Sequence, residues 1–174
     1  MKKVFITGRP GVGKTTAVVE LVKALGERAV GFYTKEIRDN GVRMGFEIVT
    51  TWGETYTLAH VGIEGPKVSK YGVDTESIEK VVSRLRAVEP GKILVIDEIG
   101  KMEMMSKAFM RWVEKMIFST TPVVGTLPLR WSHPLLNRIK RSFPVWEVTP
   151  DNRSAIPVRL MDFLKEGCGG FSQK

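Results

Sequence analysis

At 174 residues, 43% of them hydrophobic and 26% charged, the chain is long enough to bury one full core and too apolar for intrinsic disorder, so a single domain over residues 1–174 is expected. No apolar run approaches the roughly 20 residues of a membrane span, the apolar part of "MKKVFITGRP" is too short for a signal peptide, and the one cysteine, Cys168 in the tail "EGCGGFSQK", cannot form an internal disulfide, which points to a cytoplasmic protein without a membrane partner. The excess of 27 basic over 19 acidic residues gives +8, which suits a polyanionic ligand, but the basic residues are scattered and the densest run, Asn137 to Arg141, is too short for an RNA site, so nucleotides are the expected partners and nucleic acid is not.

In chain order, Lys3 to Ile6 is an apolar, β-branched and aromatic run that reads as a buried strand. "GRPGVGKT" follows at Gly8 to Thr15 and then Val18, Leu21, Val22 and Leu25 recur at helical spacing, with Gly26 where a helix would stop. "RAVGFYTKEI", "MGFEIVTTW" and "ETYTLAHV" are β-branched and aromatic, with turn chemistry between them, so residues 28–61 read as an antiparallel meander. "GIEGPKVSKYGVD" reads as a surface loop. Asp74 or Thr75 then caps a helix with Ile78, Val81, Val82, Leu85 and Val88 on one face, ended by Pro90-Gly91. Ile93 to Ile96 is an unbroken apolar run, the pattern of a central parallel strand. A helix is expected over residues 106–118, a strand over 122–127, a short helix at "HPLLNRIKR", a strand over 144–148 and a last helix over 153–165, with Pro157 in its first turn and Asp151 or Asn152 as its cap. Outside the meander, strands and helices alternate. That predicts an α/β fold with a doubly wound, mainly parallel sheet carrying an antiparallel β insertion.

Two stretches carry chemistry. Gly8, Gly13, Lys14 and Thr15 fit the phosphate-loop pattern G-x-x-x-x-G-K-[ST] at every fixed position, in the strand–loop–helix setting that the pattern requires. The glycines permit backbone torsions that a Cβ forbids, so the amides of Gly8, Arg9, Pro10, Gly11, Val12 and Gly13 can fold around phosphate (proline excepted, having no N–H). The helix start at Lys14, Thr15 and Thr16 adds free N–H groups and a positive dipole end. Lys14 is placed to reach the β- and γ-phosphates, and the Thr15 hydroxyl to hold Mg2+. The second stretch, Asp97, Glu98, Ile99, Gly100 and Lys101, follows the central strand. Ligands of such sheets bind at the carboxyl ends of the strands, so both stretches are expected to share one crevice. Asp97 is assigned to the Mg2+ ion through a water, and Glu98 to orienting and deprotonating an attacking water. Lys101 is the first candidate for neutralising transition-state charge, ahead of Arg9, Arg138 and Arg141. Thr126 either holds the attacking water or is satisfied by nearby backbone. Trp131 and His133 are expected to pack on a core edge, and the methionines of "KMEMM" to fill the core.

"GRPGVGKTT", "AVGFYTKEIRDNGVRMGFEI", "VIDEIGKME", "HPL" and "TPDNR" together resemble the small nucleoside-triphosphatase family, the cancer-related NTPase-like phosphate-loop proteins, over almost the whole chain. The resemblance implies a RecA-like or kinase-like fold with an added antiparallel part. It also implies slow, Mg2+-dependent hydrolysis of ATP, GTP and other triphosphates such as CTP and UTP to diphosphate and phosphate. Nucleotide contacts would come from Gly8 to Thr15 and from Leu94 to Lys101, with Glu98 in the place of the catalytic acid. A monomer is expected. Two other readings compete: a nucleoside or nucleotide kinase with "HPLLNRIKRS" as a small lid, and a nucleotide-dependent RNA-binding switch.

Overall fold

A computed structural model describes residues 2–166, and the sequence calls on Cys168 and its glycine-rich tail lie outside the described residues. The first strand, β1, runs Lys3–Gly8 and is wholly buried. It leads through the glycine loop into α1, Lys14–Leu25, which ends at Gly26 as the periodicity predicts. Then come β2 (Ala29–Asp39), β3 (Val42–Thr50) and β4 (Thr55–His60). The segment expected as a surface loop forms a small hairpin instead, β5 (Lys67–Val68) and β6 (Tyr71–Val73). Its strands are too short for a propensity signal; they are held because β6 pairs with β4.

Helix α2 covers Thr75–Ser83, capped by the Asp74 carboxylate, which accepts from the amides of Glu76 and Ser77. It stops seven residues before the expected Pro90. Arg84 and Leu85 close it with tighter i→i−3 bonds, and the Leu85 carbonyl accepts from the Trp112 indole at 2.8 Å. The central strand β7 is Ile93–Ile96, all buried. Helix α3 (Lys107–Ile117) is capped by Ser106, and β8 (Val123–Pro128), α4 (Pro134–Ser142) and β9 (Val145–Glu147) follow as the sequence suggests. The last helix, α5, is Ile156–Glu166, starting later than expected. Asn152 is not its cap: the Asn152 side chain accepts from the Thr149 amide and donates to the Glu147 carbonyl, clasping the loop before it.

Among the described residues, nine strands form one sheet in the order β5-β6-β4-β3-β2-β7-β8-β1-β9. The half from β2 to β9 is parallel and the half from β2 to β5 is antiparallel, so the sheet is mixed and the meander is its continuation. Strand β2 joins the halves: Ala29 to Phe32 pair with β7, and Phe32 to Asp39 with β3. Gly31 permits that junction, because its φ is +143° and a Cβ there would lie 1.9 Å from the Val95 carbonyl oxygen.

Alternation sorts the sheet's side chains into two cores. Val4, Ile6, Val95 and Val124 pack with α1 and α5 on one face. Phe5, Leu94, Ile96 and Val123 pack with α2, α3 and α4 on the other, together with Ile48, Leu58 and Tyr71 of the antiparallel half. Helices thus cover both faces. Among the described residues, no helix is long and apolar enough to cross a membrane.

Candidate active site

Three parallel strands, β1, β7 and β8, end side by side, and their carboxyl ends deliver the candidate groups to one place. At the end of β1, Gly11 and Gly13 take φ values of +79° and +120°, torsions that side-chained residues rarely adopt. Val12 between them is buried and pins the loop to the core. Gly13 is the N-cap of α1 and makes no side-chain cap, so the first amides of the helix remain available to an anion.

The end of β7 meets this loop directly. Asp97 is 1% exposed. Its Oδ2 accepts from the Thr15 hydroxyl at 2.8 Å and from the Thr34 amide at 3.4 Å, and its Oδ1 accepts from the Thr126 hydroxyl at 2.6 Å. Burial pushes the Asp97 carboxyl above its usual range, and the Thr126 and Thr15 hydroxyls, the Thr34 amide and the Lys14 charge pull against that. Lys14 Nζ donates to Glu98 Oε2 at 3.2 Å and to the Leu127 carbonyl at 3.4 Å. Burial also pushes Glu98 up; the Lys14 charge opposes this and the Asp97 charge adds to it. The two stretches, over 80 residues apart in sequence, therefore touch through Thr15–Asp97 and Lys14–Glu98.

A third carboxyl, Glu103, completes the acidic wall, and the sequence analysis gave it no role. It sits in a 3-10 turn, Glu103–Met105, and is only 4% exposed. Burial pushes it well above the ordinary glutamate range, and the nearby Glu98 charge pushes it further. Gly100 separates the two glutamates: a Cβ there would lie 2.7 Å from Glu98 Oε1 and 3.1 Å from Glu103 Oε1. The available signal was the setting of Glu103 among Met102, Met104 and Met105, which pack against the core as expected. The Thr34 contact had no signal, since its backbone supplies it.

The other candidates divide. Lys101 and Arg9 are exposed on the rim of the cleft. Ile99 is buried, with its amide on the Thr126 carbonyl. Arg138 is turned elsewhere, with an ion pair to Glu114 at 2.8 Å and a stack over Phe118, and Arg141 does not line the cleft; the helix α4 faces α3 with that side. Thr126 matches neither expectation, because its hydroxyl is spent on Asp97. His133 caps α4, its Nδ1 accepting from the Leu135 amide, and its ring lies against Trp131. Trp131 packs on the core edge as expected, but it also lines the cleft.

The Thr15 hydroxyl and the Asp97 carboxylate are adjacent hard oxygen donors. That donor set fits Mg2+, which is commonly bound by one or two carboxylates together with substrate phosphates. Among the described residues, no group of three or more His, Cys, Asp or Glu is arranged to hold a metal unaided.

Comparison with known proteins agrees with this fold. Nucleoside-triphosphatase THEP1 of Thermotoga sp. (strain RQ2) is 39% identical over 168 residues, covering 94% of this chain and 95% of that protein. The protein of the same name from Aquifex aeolicus is 39% identical over 176 residues, covering 94% and 99%. The crystal structure of the Aquifex aeolicus THEP1 superposes with a TM-score of 0.85 at 37% identity, covering 94% of this chain and 99% of that one. The solution structure of a human cancer-related nucleoside triphosphatase superposes with a TM-score of 0.80 at 34% identity, covering 100% of both chains. A family profile described as NTPase matches residues 3–161, and the chain belongs to that family.

Proposed function

We propose that this chain is a nucleoside-triphosphate phosphohydrolase that converts ATP, GTP, CTP and UTP to the diphosphate and phosphate with Mg2+, acting as a cytoplasmic monomer in which residues 1–174 form one domain. The observation that carries the reading is the double contact between loop and acidic pair, Thr15 to Asp97 at 2.8 Å and Lys14 to Glu98 at 3.2 Å. Phosphoryl transfer needs a cradle for the triphosphate tail and a positioned nucleophile, and little covalent chemistry from the protein.

The loop amides and the start of α1 bind the phosphates, and Lys14 takes charge from the β- and γ-phosphates. Thr15 and Asp97 would hold Mg2+, which supplies charge neutralisation on those phosphate oxygens. A bound tail competes with Glu98 for Lys14, so substrate binding frees the Glu98 carboxylate. Glu98 then orients a water against the γ-phosphorus and takes its proton. The new P–O bond forms, the bond to the β-phosphate oxygen breaks, and the diphosphate leaves with that electron pair. Lys101 and Arg9 on the rim are the cations available to the developing charge.

The test is phosphate release from each of the four triphosphates with no acceptor present, with and without Mg2+. Release from all four that depends on Mg2+ is expected. Release seen only after a nucleoside or nucleotide is added would replace this reading with a kinase.

A further inference from the structure

The strand order sets the direction in which a bound nucleotide lies. Glu98 follows the end of β7, and Lys14 reaches toward it from the loop at the end of β1. Lys14 meets the terminal phosphates and the loop amides cradle the inner ones. In the order β7-β8-β1-β9, a tail laid from β7 across β1 carries its nucleoside toward the segment that follows β9, residues 148–155.

That segment embraces the phosphate loop at both ends. A Cβ on Gly8 would lie 2.9 Å from the Val148 carbonyl oxygen, and a Cβ on Gly13 would lie 3.6 Å from Arg153 Cδ and 3.8 Å from Arg153 Cβ. The Val148 amide donates to the Thr7 carbonyl at 2.7 Å, and the Arg153 amide donates to the Thr149 carbonyl at 3.0 Å. With the Asn152 clasp on Glu147 and Thr149, the backbone that carries Arg153 is fixed beside the loop. The head of the side chain is not. Arg153 is exposed, and no hydrogen bond or ion pair engages its guanidinium among the described residues.

Arg153 leans on the loop but does not line the cleft that holds Lys14 and Glu98, so it stands on the nucleoside side of the phosphates. A guanidinium is planar, weakly hydrated and able to stack on an aromatic face. Every base offers such a face, so a stacking contact tolerates all four.

We propose that Arg153 is the nucleobase contact of this chain, its guanidinium stacking on the ring whichever base the nucleotide carries. This contact rests on the hydrolase reading for the direction in which the phosphate tail lies.

The experiment is calorimetric titration of ADP, UDP and pyrophosphate, each with Mg2+, into the parent, Arg153→Ala and Arg153→Lys. Both substitutions are at an exposed side chain, and circular dichroism checks the fold. ADP and UDP are expected to bind Arg153→Ala about fivefold or more weakly than the parent, and pyrophosphate to bind both within about twofold. Lysine keeps the charge and loses the flat face, so Arg153→Lys should hold ADP as Arg153→Ala does. An equal loss for pyrophosphate, or full affinity for ADP in Arg153→Lys, would make Arg153 a phosphate contact and overturn the proposal. Unchanged binding of ADP and UDP in Arg153→Ala, or a loss confined to one of the two, would overturn it as well. Acceptor-free phosphate release from ATP by the parent decides the hydrolase reading separately, whatever these titrations give.

Discussion

Lys14 has two acceptors on the protein, Glu98 Oε2 and the Leu127 carbonyl, and both are contacts that a triphosphate would take over. This sets apart two substitutions that otherwise look alike. Lys14→Ala removes a charged hydrogen-bond donor to phosphate and should weaken nucleotide binding roughly tenfold to hundredfold, read by titration with a non-hydrolysable analogue. Glu98→Gln keeps shape and binding but cannot take a proton. Its turnover should fall by about 10²–10⁴-fold with affinity no weaker than the parent's, and equal turnover in variant and parent would remove Glu98 as the base. Glu103 makes a different prediction, about stability. Its folded carboxyl keeps its proton above the ordinary value of 4.5 because of burial and the Glu98 charge. Above that pH the unfolded chain binds fewer protons than the native one, so this group costs stability as pH rises from 4.5 toward its raised native value. Glutamine has no proton to lose. Glu103→Gln should therefore match the parent most closely at about pH 4 in urea denaturation and exceed it at about pH 8. A variant less stable than the parent at the higher pH would show that the Glu103 carboxylate is instead stabilised by its surroundings.

At the scale of elements, what could be read from sequence was local and what escaped was set by distant contacts. The glycine loop, α1 and β7 were legible because spacing and an unbroken apolar run decide them within a few residues. The Asp74 cap was legible for the same reason, and Asp74→Ala should cost about 1 kcal/mol in denaturant unfolding with the active site untouched. The early end of α2 was not, because it depends on Trp112 reaching back to the Leu85 carbonyl. The β5–β6 hairpin escaped because its place is fixed by β4 and by Gly72, where a Cβ would lie 1.9 Å from the Ile63 carbonyl oxygen. At the site, the phosphate loop and Asp97-Glu98 were named from fixed spacing, whereas the Asp97 contacts of Thr126 and Thr34 needed the strand order. Strand β2 shows the same limit most clearly. Its sequence reads as one edge of a meander, yet Gly31 lets it also pair with β7. Gly31→Ala should destabilise by about 4–5 kcal/mol or leave the protein insoluble, since the new methyl group overlaps the backbone of β7 at a torsion alanine resists.

For the whole molecule, the shared strand decides whether the antiparallel half is an appendage or part of one cooperative unit. Ile48, Leu58, Tyr71 and Val73 from that half lie in the same core cluster as Leu94, Ile96 and Phe109 of the parallel half. Breaking the sheet at β2 would expose both sets, so partial unfolding gains little entropy for the apolar surface it wets. Each half carries a natural reporter, Trp52 in the turn between β3 and β4 and Trp146 in the edge strand β9. Urea unfolding followed by tryptophan fluorescence, compared between the parent and Trp52→Phe, should superimpose on unfolding followed by far-ultraviolet circular dichroism. Mg2+ and a non-hydrolysable triphosphate at about a hundred times their dissociation constant should stabilise the fold by about 2.7 kcal/mol. Because the phosphate loop lies in the parallel half, that shift tests the coupling: a Trp52 signal that moves as far as the others places both halves in one folding unit, and a Trp52 signal that melts early and ignores the nucleotide would make the antiparallel half a separate one.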